Sequence, residues 1–152
     1  MEKRTGQLWM PADKYGQSLP PLTVNLLVGE VAGAVEFYER VLGGKAHYHD
    51  EDFAALNVAG VEFMLHADHT YEEHPWVEPL KAGERRGLGA ELRILGIDPD
   101  RVEASAREFG APVIQPATTK DHGWREVMVQ DPDGYIWVVG VSTADIESRS
   151  GS

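Results

Sequence analysis

Glu91 and Arg93 stand two apart in the segment GAELRILG, so on an extended strand they share one face. An acid and a base so placed have three uses. They can pair with each other, which offsets their desolvation. Arg93 can instead grip an anionic group in bidentate fashion while Glu91 takes or gives a proton, a task suited to a half-buried carboxylate. Or both can contact a ligand passively. The histidines are a second source of chemistry. His47 and His49 share a face in KAHYH at a spacing that can chelate, but no third partner is identifiable, and an exposed polar strand face is expected. His66 ends the stripe Glu62, Met64, His66 in VEFMLH and is a candidate ligand contact, whereas His69, His74 and His122 fall in connecting segments. Tyr48, Trp76, Trp124, Tyr135 and Trp137 supply flat rings that suit planar or cationic ligands. Trp124 follows ATTKDHG, residues 117–123, read as a flexible loop able to close over a ligand. The chain has no cysteine, which removes disulfides, zinc-thiolate sites and thiol chemistry.

These residues need a scaffold, and hydropathy patterning supplies one. LTVNLLV (22–28) has strand composition, and Val31, Ala34, Val35, Tyr38, Val41 and Leu42 then recur at helical spacing before Gly43 and Gly44. KAHYH, FAALNV and VEFMLH follow, separated by the acidic turn DED and a turn at Ala59-Gly60, and read as a three-stranded meander. The order is βαβββ. A second pass repeats it. GAELRILG is strand-like, and Asp98-Pro99 opens a helix with an N-cap and a proline at its first position, ended by Gly110. Strands follow at 112–115, 124–130 and 135–141, the last pair joined by the turn Asp131-Pro132-Asp133-Gly134. Superposing the units pairs Thr23 with Glu91, Gly43 with Gly110 and Met64 with Val138, an internal duplication. Alternation along the strands turns Thr23, Asn25 and Leu27, then Glu62, Met64 and His66, then Glu91 and Arg93, then Ile136, Val138 and Gly140 to the open side.

The chain therefore divides into an N-terminal arm (1–20) expected to lie on the surface, modules 21–66 and 88–141 joined by a charged linker (67–87) with about one helical turn, and a C-terminal tail (142–152). With 25 acidic against 14 basic residues the net charge is -11, which repels nucleic acid and anionic membrane and would attract a cation. The opening residues hold no apolar run of signal-peptide or membrane-span length, so a cytoplasmic protein with no membrane partner is expected.

The paired βαβββ units, the helix end FYERVLGG and the DPDG turn before the last strand resemble the vicinal oxygen chelate superfamily, which holds glyoxalase I, extradiol dioxygenases, and fosfomycin and bleomycin resistance proteins. The resemblance covers residues 21–141 and implies an α+β fold in which two βαβββ modules form an incomplete barrel with a concave ligand cleft between them. It also implies a homodimer. Metal-dependent members place a His or Gln on the first strand of each module and a Glu on the last, positions that fall here on Thr23, Met64, Glu91 and Val138. Only Glu91 is a good ligand, and a divalent ion needs several converging donors, so neither metal nor other cofactor is expected. The resulting expectation is a metal-independent binder that sequesters a partly aromatic or cationic small molecule through Thr23, Asn25, Met64, His66, Glu91, Arg93, Trp124 and Val138. The alternative is a lyase, isomerase or oxygenase with a displaced metal involving Glu91 and His66, or with Glu91 as catalytic acid or base.

Overall fold

The computed structural model describes residues 1–150; Gly151 and Ser152, the end of the expected tail, lie outside it. It contains two compact units, Met1–Glu39 with Gly44–Glu84, and Arg40–Gly43 with the described residues from Arg85 onward. Each is built around one four-stranded sheet that does not close on itself, giving an α+β fold of two βαβββ modules.

In the first unit the strands are β1 (Asn25–Val28), β2 (Lys45–His49), β3 (Phe53–Val58) and β4 (Val61–Ala67), in spatial order β1-β4-β3-β2. β1 runs parallel to β4, and the meander is antiparallel. Helix α2 (Val31–Arg40) connects β1 to β2 and buries Val31, Ala34, Val35, Phe37 and Tyr38, with the Tyr38 ring edge-on to Phe63 at 5.3 Å. β4 keeps the expected alternation: Phe63, Leu65 and Ala67 are buried, while Glu62, Met64 and His66 are half-buried on the other face. β1 starts later than its composition suggests, because Thr23 is tied into a turn by a hydrogen bond from its hydroxyl to the Pro20 carbonyl at 2.9 Å.

The turn between β3 and β4 is a two-residue loop with positive φ at both Ala59 (52°) and Gly60 (82°). That is the geometry preferred by Asn-Gly rather than Ala-Gly. Ala59→Asn is expected to raise stability by about 0.5 kcal/mol or more, seen as a higher unfolding midpoint; a lower one would refute this reading of the turn.

The second unit repeats the order with β5 (Glu91–Leu95), β6 (Val113–Thr119), β7 (Trp124–Gln130) and β8 (Ile136–Ser142), arranged β5-β8-β7-β6. Helix α4 (Pro99–Phe109) is capped as its sequence dictates: the Asp98 carboxylate accepts the Asp100 N–H at 3.0 Å, and Gly110 ends it at φ 90°. In the DPDG turn the buried Asp131 carboxylate accepts the backbone N–H groups of Asp133 (3.0 Å) and Tyr135 (2.9 Å) and the Trp137 indole N–H (3.3 Å).

The arm contains helix α1 (Ala12–Ser18), exposed except for the buried Tyr15, and the tail continues as helix α5 (Thr143–Ser150). One expectation needs correction. ATTKDHG is mostly not a loop, because pairing of Thr118 with Glu126 and Thr119 with Arg125 carries β6 through Thr119 and leaves a turn at 120–123. The linker holds a short 3-10 turn at Asp68–Thr70 and helix α3 (Val77–Lys81). No helix among the described residues is long and apolar enough to cross a membrane.

Candidate functional site

The first unit contains a cavity of ≈ 540 Å³ between the N-terminal arm and the open face of its sheet. Met64, His66 and Phe53 line it from the sheet, Trp9, Met10, Tyr15 and Leu19 from the arm, and Tyr71 from the segment after β4. A volume of this order, apolar walls and a few polar groups are what small-molecule sites share.

Local chemistry explains why the arm lies there. Its polar end is clamped by the turn Asp50-Glu51-Asp52. Asp52 is 1% exposed and accepts the backbone N–H groups of Lys3 (2.7 Å) and Arg4 (3.1 Å), while His69 Nε2 donates to it at 2.7 Å. The Arg4 side chain donates from Nε to Asp50 at 2.7 Å and from a terminal nitrogen to Glu2 at 2.8 Å, and the Tyr48 hydroxyl donates to Asp50 at 2.6 Å. Behind this clamp Trp9 stacks on Tyr48 (4.7 Å, 13°), and Tyr15 meets Phe53 edge-on at 5.3 Å. Aromatic pairing and apolar burial then hold the rest of the arm.

Burial pushes the Asp52 carboxyl up, but the bonds from His69, Lys3 and Arg4 outweigh it and hold the group down at about 2, against an ordinary 3.8. A folded-state value below the unfolded one means stability that is complete above 3.8 and is lost as pH falls through about 2. Acid is therefore expected to loosen the arm within that window. The advantage of the parent over Asp52→Ala in unfolding midpoint should shrink across it; a constant gap would show that Asp52 does not anchor the arm through its charge.

Three polar groups on the cavity wall retain hydrogen-bonding capacity. The Asn25 amide donates to the Tyr71 hydroxyl at 2.7 Å, which leaves its oxygen to accept from His66 Nδ1, also at 2.7 Å. His66 is thereby fixed with its proton on Nδ1 and an acceptor lone pair on Nε2. Burial, with the nearby Arg4 charge, lowers the His66 pKa and keeps the ring neutral. The Tyr71 hydroxyl, an acceptor toward Asn25, keeps its own proton to donate. Tyr15 carries the third group. Its ring is 9% exposed, its hydroxyl is buried with no hydrogen-bond partner, and burial together with Glu62 pushes its pKa up to about 12.

The structure thus brings Asn25, Met64 and His66 together, as strand alternation predicts. Thr23 stands apart from them in its turn. In the second unit Arg93 is bridged on both sides, to Glu91 at 2.8 Å and to the buried Glu126 at 2.6 Å, with its guanidinium 4.9 Å over the Trp124 ring. Glu91, Arg93 and Trp124 therefore form a satisfied surface network, the pairing role among the three open to them. Val138 is 0% exposed and offers a ligand no surface. His47 and His49 are exposed, His47 facing Glu62 at 3.0 Å.

Residues missed from the sequence include Arg4, Trp9 and Tyr15 of the arm, the acidic pair Asp50 and Asp52, and Tyr71. A usable signal was the apolar cluster Leu8, Trp9, Met10 inside a polar segment, followed by Tyr15 and Leu19 one helical turn apart.

The donor set does not fit a divalent ion at the positions the fold implies. Met64 and Val138 have no suitable donor, the Thr23 hydroxyl is given to Pro20, and Glu91 is held by Arg93. No group of three or more His, Asp or Glu side chains among the described residues converges as metal ligands would.

Comparison with known proteins extends the fold argument. The family description "Glyoxalase/Bleomycin resistance protein/Dioxygenase superfamily" matches residues 21–139. No curated protein matches the chain in sequence. Among solved structures it is similar to a glyoxalase-related enzyme from Fulvimarina pelagi (18% identity, 79% of this chain and 86% of that one, TM-score 0.62). It is also similar to a glyoxalase/bleomycin resistance protein/dioxygenase family enzyme from Burkholderia phytofirmans (18%, 79% and 96%, TM-score 0.63). A third is a glyoxalase/bleomycin resistance protein/dioxygenase from Nocardioides (21%, 86% and 91%, TM-score 0.58). Identities at this level speak for the fold alone. With two βαβββ modules in place and a family match over most of its length, the chain belongs to the glyoxalase/bleomycin resistance protein/dioxygenase superfamily.

Proposed function

We propose that this chain is a metal-independent binding protein that sequesters a partly aromatic small molecule in the cavity under its N-terminal arm. The observation that carries the reading is the ring-lined hollow of ≈ 540 Å³ in which the nearby charges are already paired while the buried Tyr15 hydroxyl has no hydrogen-bond partner. Metal independence is supported by the commitment of the candidate donors: Asp52 to Lys3, Arg4 and His69, and His66 Nδ1 to Asn25. An acid or base role for Glu91 has less support, because its carboxylate accepts from Arg93 on an exposed stretch of strand. Residence in the cytoplasm and assembly as a homodimer belong to the same proposal.

The test is a thermal-shift screen of two- and three-ring compounds. A ligand present at 100 times its Kd stabilises the folded state by about 2.7 kcal/mol, a rise of several degrees. Hits that lose their effect in Trp9→Ala place the ligand in the cavity. A screen without hits, or hits indifferent to Trp9, would overturn the reading.

A further inference from the structure

Resting on that reading, we infer that the ligand is an uncharged ring compound that presents a hydroxyl or ring N–H donor to His66 Nε2 and accepts a hydrogen bond from Tyr15. The argument is one of free valences. Arg4 is surrounded by three carboxylates, with Asp50 at 2.7 Å, Glu2 at 2.8 Å and Asp52 at 3.7 Å. A ligand anion would have to displace one of them. A ligand cation finds no uncommitted carboxylate there: Asp52 accepts from Lys3, Arg4 and His69, Asp50 from Arg4 and Tyr48, and Glu2 from Arg4.

Neutral hydrogen bonding remains. The relay from His66 through Asn25 to Tyr71 settles which ring nitrogen of His66 is the acceptor, because Asn25 spends its amide hydrogen on Tyr71. A buried, partnerless hydroxyl such as that of Tyr15 carries a desolvation cost that a ligand acceptor would remove. Around these groups the walls are flat: Phe53 lies 5.0 Å from the His66 ring, Tyr71 is edge-on to it at 5.3 Å, and Trp9 is 5.3 Å from Tyr15. Flat walls favour a planar occupant through stacking and edge contacts.

The experiment uses four probes with one ring system, titrated calorimetrically into the full chain at neutral pH: naphthol, methoxynaphthalene, naphthoate and naphthylmethylammonium. Naphthol is expected to bind tightest, with blocking of its donor by methylation weakening binding about tenfold, and with the anion and cation weaker again. His66→Phe, which keeps a ring in place, should bring naphthol and methoxynaphthalene to within about twofold of each other. Tyr15→Phe should weaken naphthol without lowering the unfolding midpoint, because it deletes an unpaired buried hydroxyl, and it serves as the second variant if His66→Phe does not fold. Equal binding of all four probes, or preference for a charged one, overturns the inference and leaves the cavity as a binding site. Absence of binding by every probe overturns the cavity reading and the inference together.

Discussion

Gly140→Ala is expected to destabilise the protein by about 3 kcal/mol, lowering the thermal midpoint by roughly 10 °C for a chain of this size. Gly140 sits on β8 opposite Glu126 of β7, beside Leu95 of β5, and its carbonyl accepts the Gly96 N–H at 2.7 Å. An added Cβ would fall inside the van der Waals envelope of the Arg125 carbonyl oxygen and within 3.1 Å of the Arg125 carbonyl carbon and Glu126 Cα. Those are backbone atoms of a paired strand, which can move only by opening the ladder. The local readout should be Trp124 fluorescence, because displacement of β7 disturbs the Glu126–Arg93 pair and the guanidinium stacked on that indole. Gly33→Ala makes the same chemical change within α2, where an added Cβ meets nothing within 4 Å. It is expected to stabilise by about 0.5 to 1 kcal/mol. Thermal unfolding followed by circular dichroism compares the two, and a Gly140→Ala midpoint at or above the parent's would show that β7 yields freely.

The contrast with what the sequence reveals follows from range. Strand alternation depends only on neighbours two apart, so it placed Asn25, Met64 and His66 on one face, and the Asp98-Pro99 cap and the Ala59-Gly60 turn were legible for the same local reason. Val138 shows the limit of alternation, which assigns a face but not what covers it. The arm was illegible because its position depends on partners 46 to 49 residues away, Arg4 with Asp50 and Lys3 with Asp52. Within the sequence the polar run around Met1–Gln7 looks solvated, and DED looks like an ordinary acidic turn. Only their juxtaposition turns two exposed-looking charge groups into a buried clamp. ATTKDHG was misread for a related reason, since Thr118 and Thr119 extend β6 through pairing with Glu126 and Arg125 rather than through any local preference. Likewise the pairing of Arg93 with Glu91 could be anticipated from their spacing, but the second bridge to Glu126 spans 33 residues and could not.

Asp52→Ala is expected to undo the arm while leaving the two sheets folded. The carboxylate is the common acceptor for two arm N–H groups and for His69, and alanine leaves all three donors without it. Removing one partner from a buried charged cluster costs about 2 to 4 kcal/mol, while the arm keeps Arg4 on Asp50, the Met1 ammonium on Glu72 and the His69 carbonyl, and the packing of Trp9 and Tyr15 against Tyr48 and Phe53. Those contacts must still offset the conformational entropy of ordering the arm, and a loss of that size tips the balance toward release. Three measurements follow the event. Trypsin should gain access to Lys3, Arg4 and Lys14 and shorten the chain from its N-terminal side; Trp9 emission should shift to the red as the indole leaves Tyr48; and naphthol affinity should fall at least tenfold because half of the cavity wall departs. Glu51→Ala, an exposed change in the same turn, should do none of these. If Asp52→Ala resists trypsin as the parent does and binds naphthol equally well, the arm is held by its rings, and the acidic turn is an ornament of the fold rather than its latch.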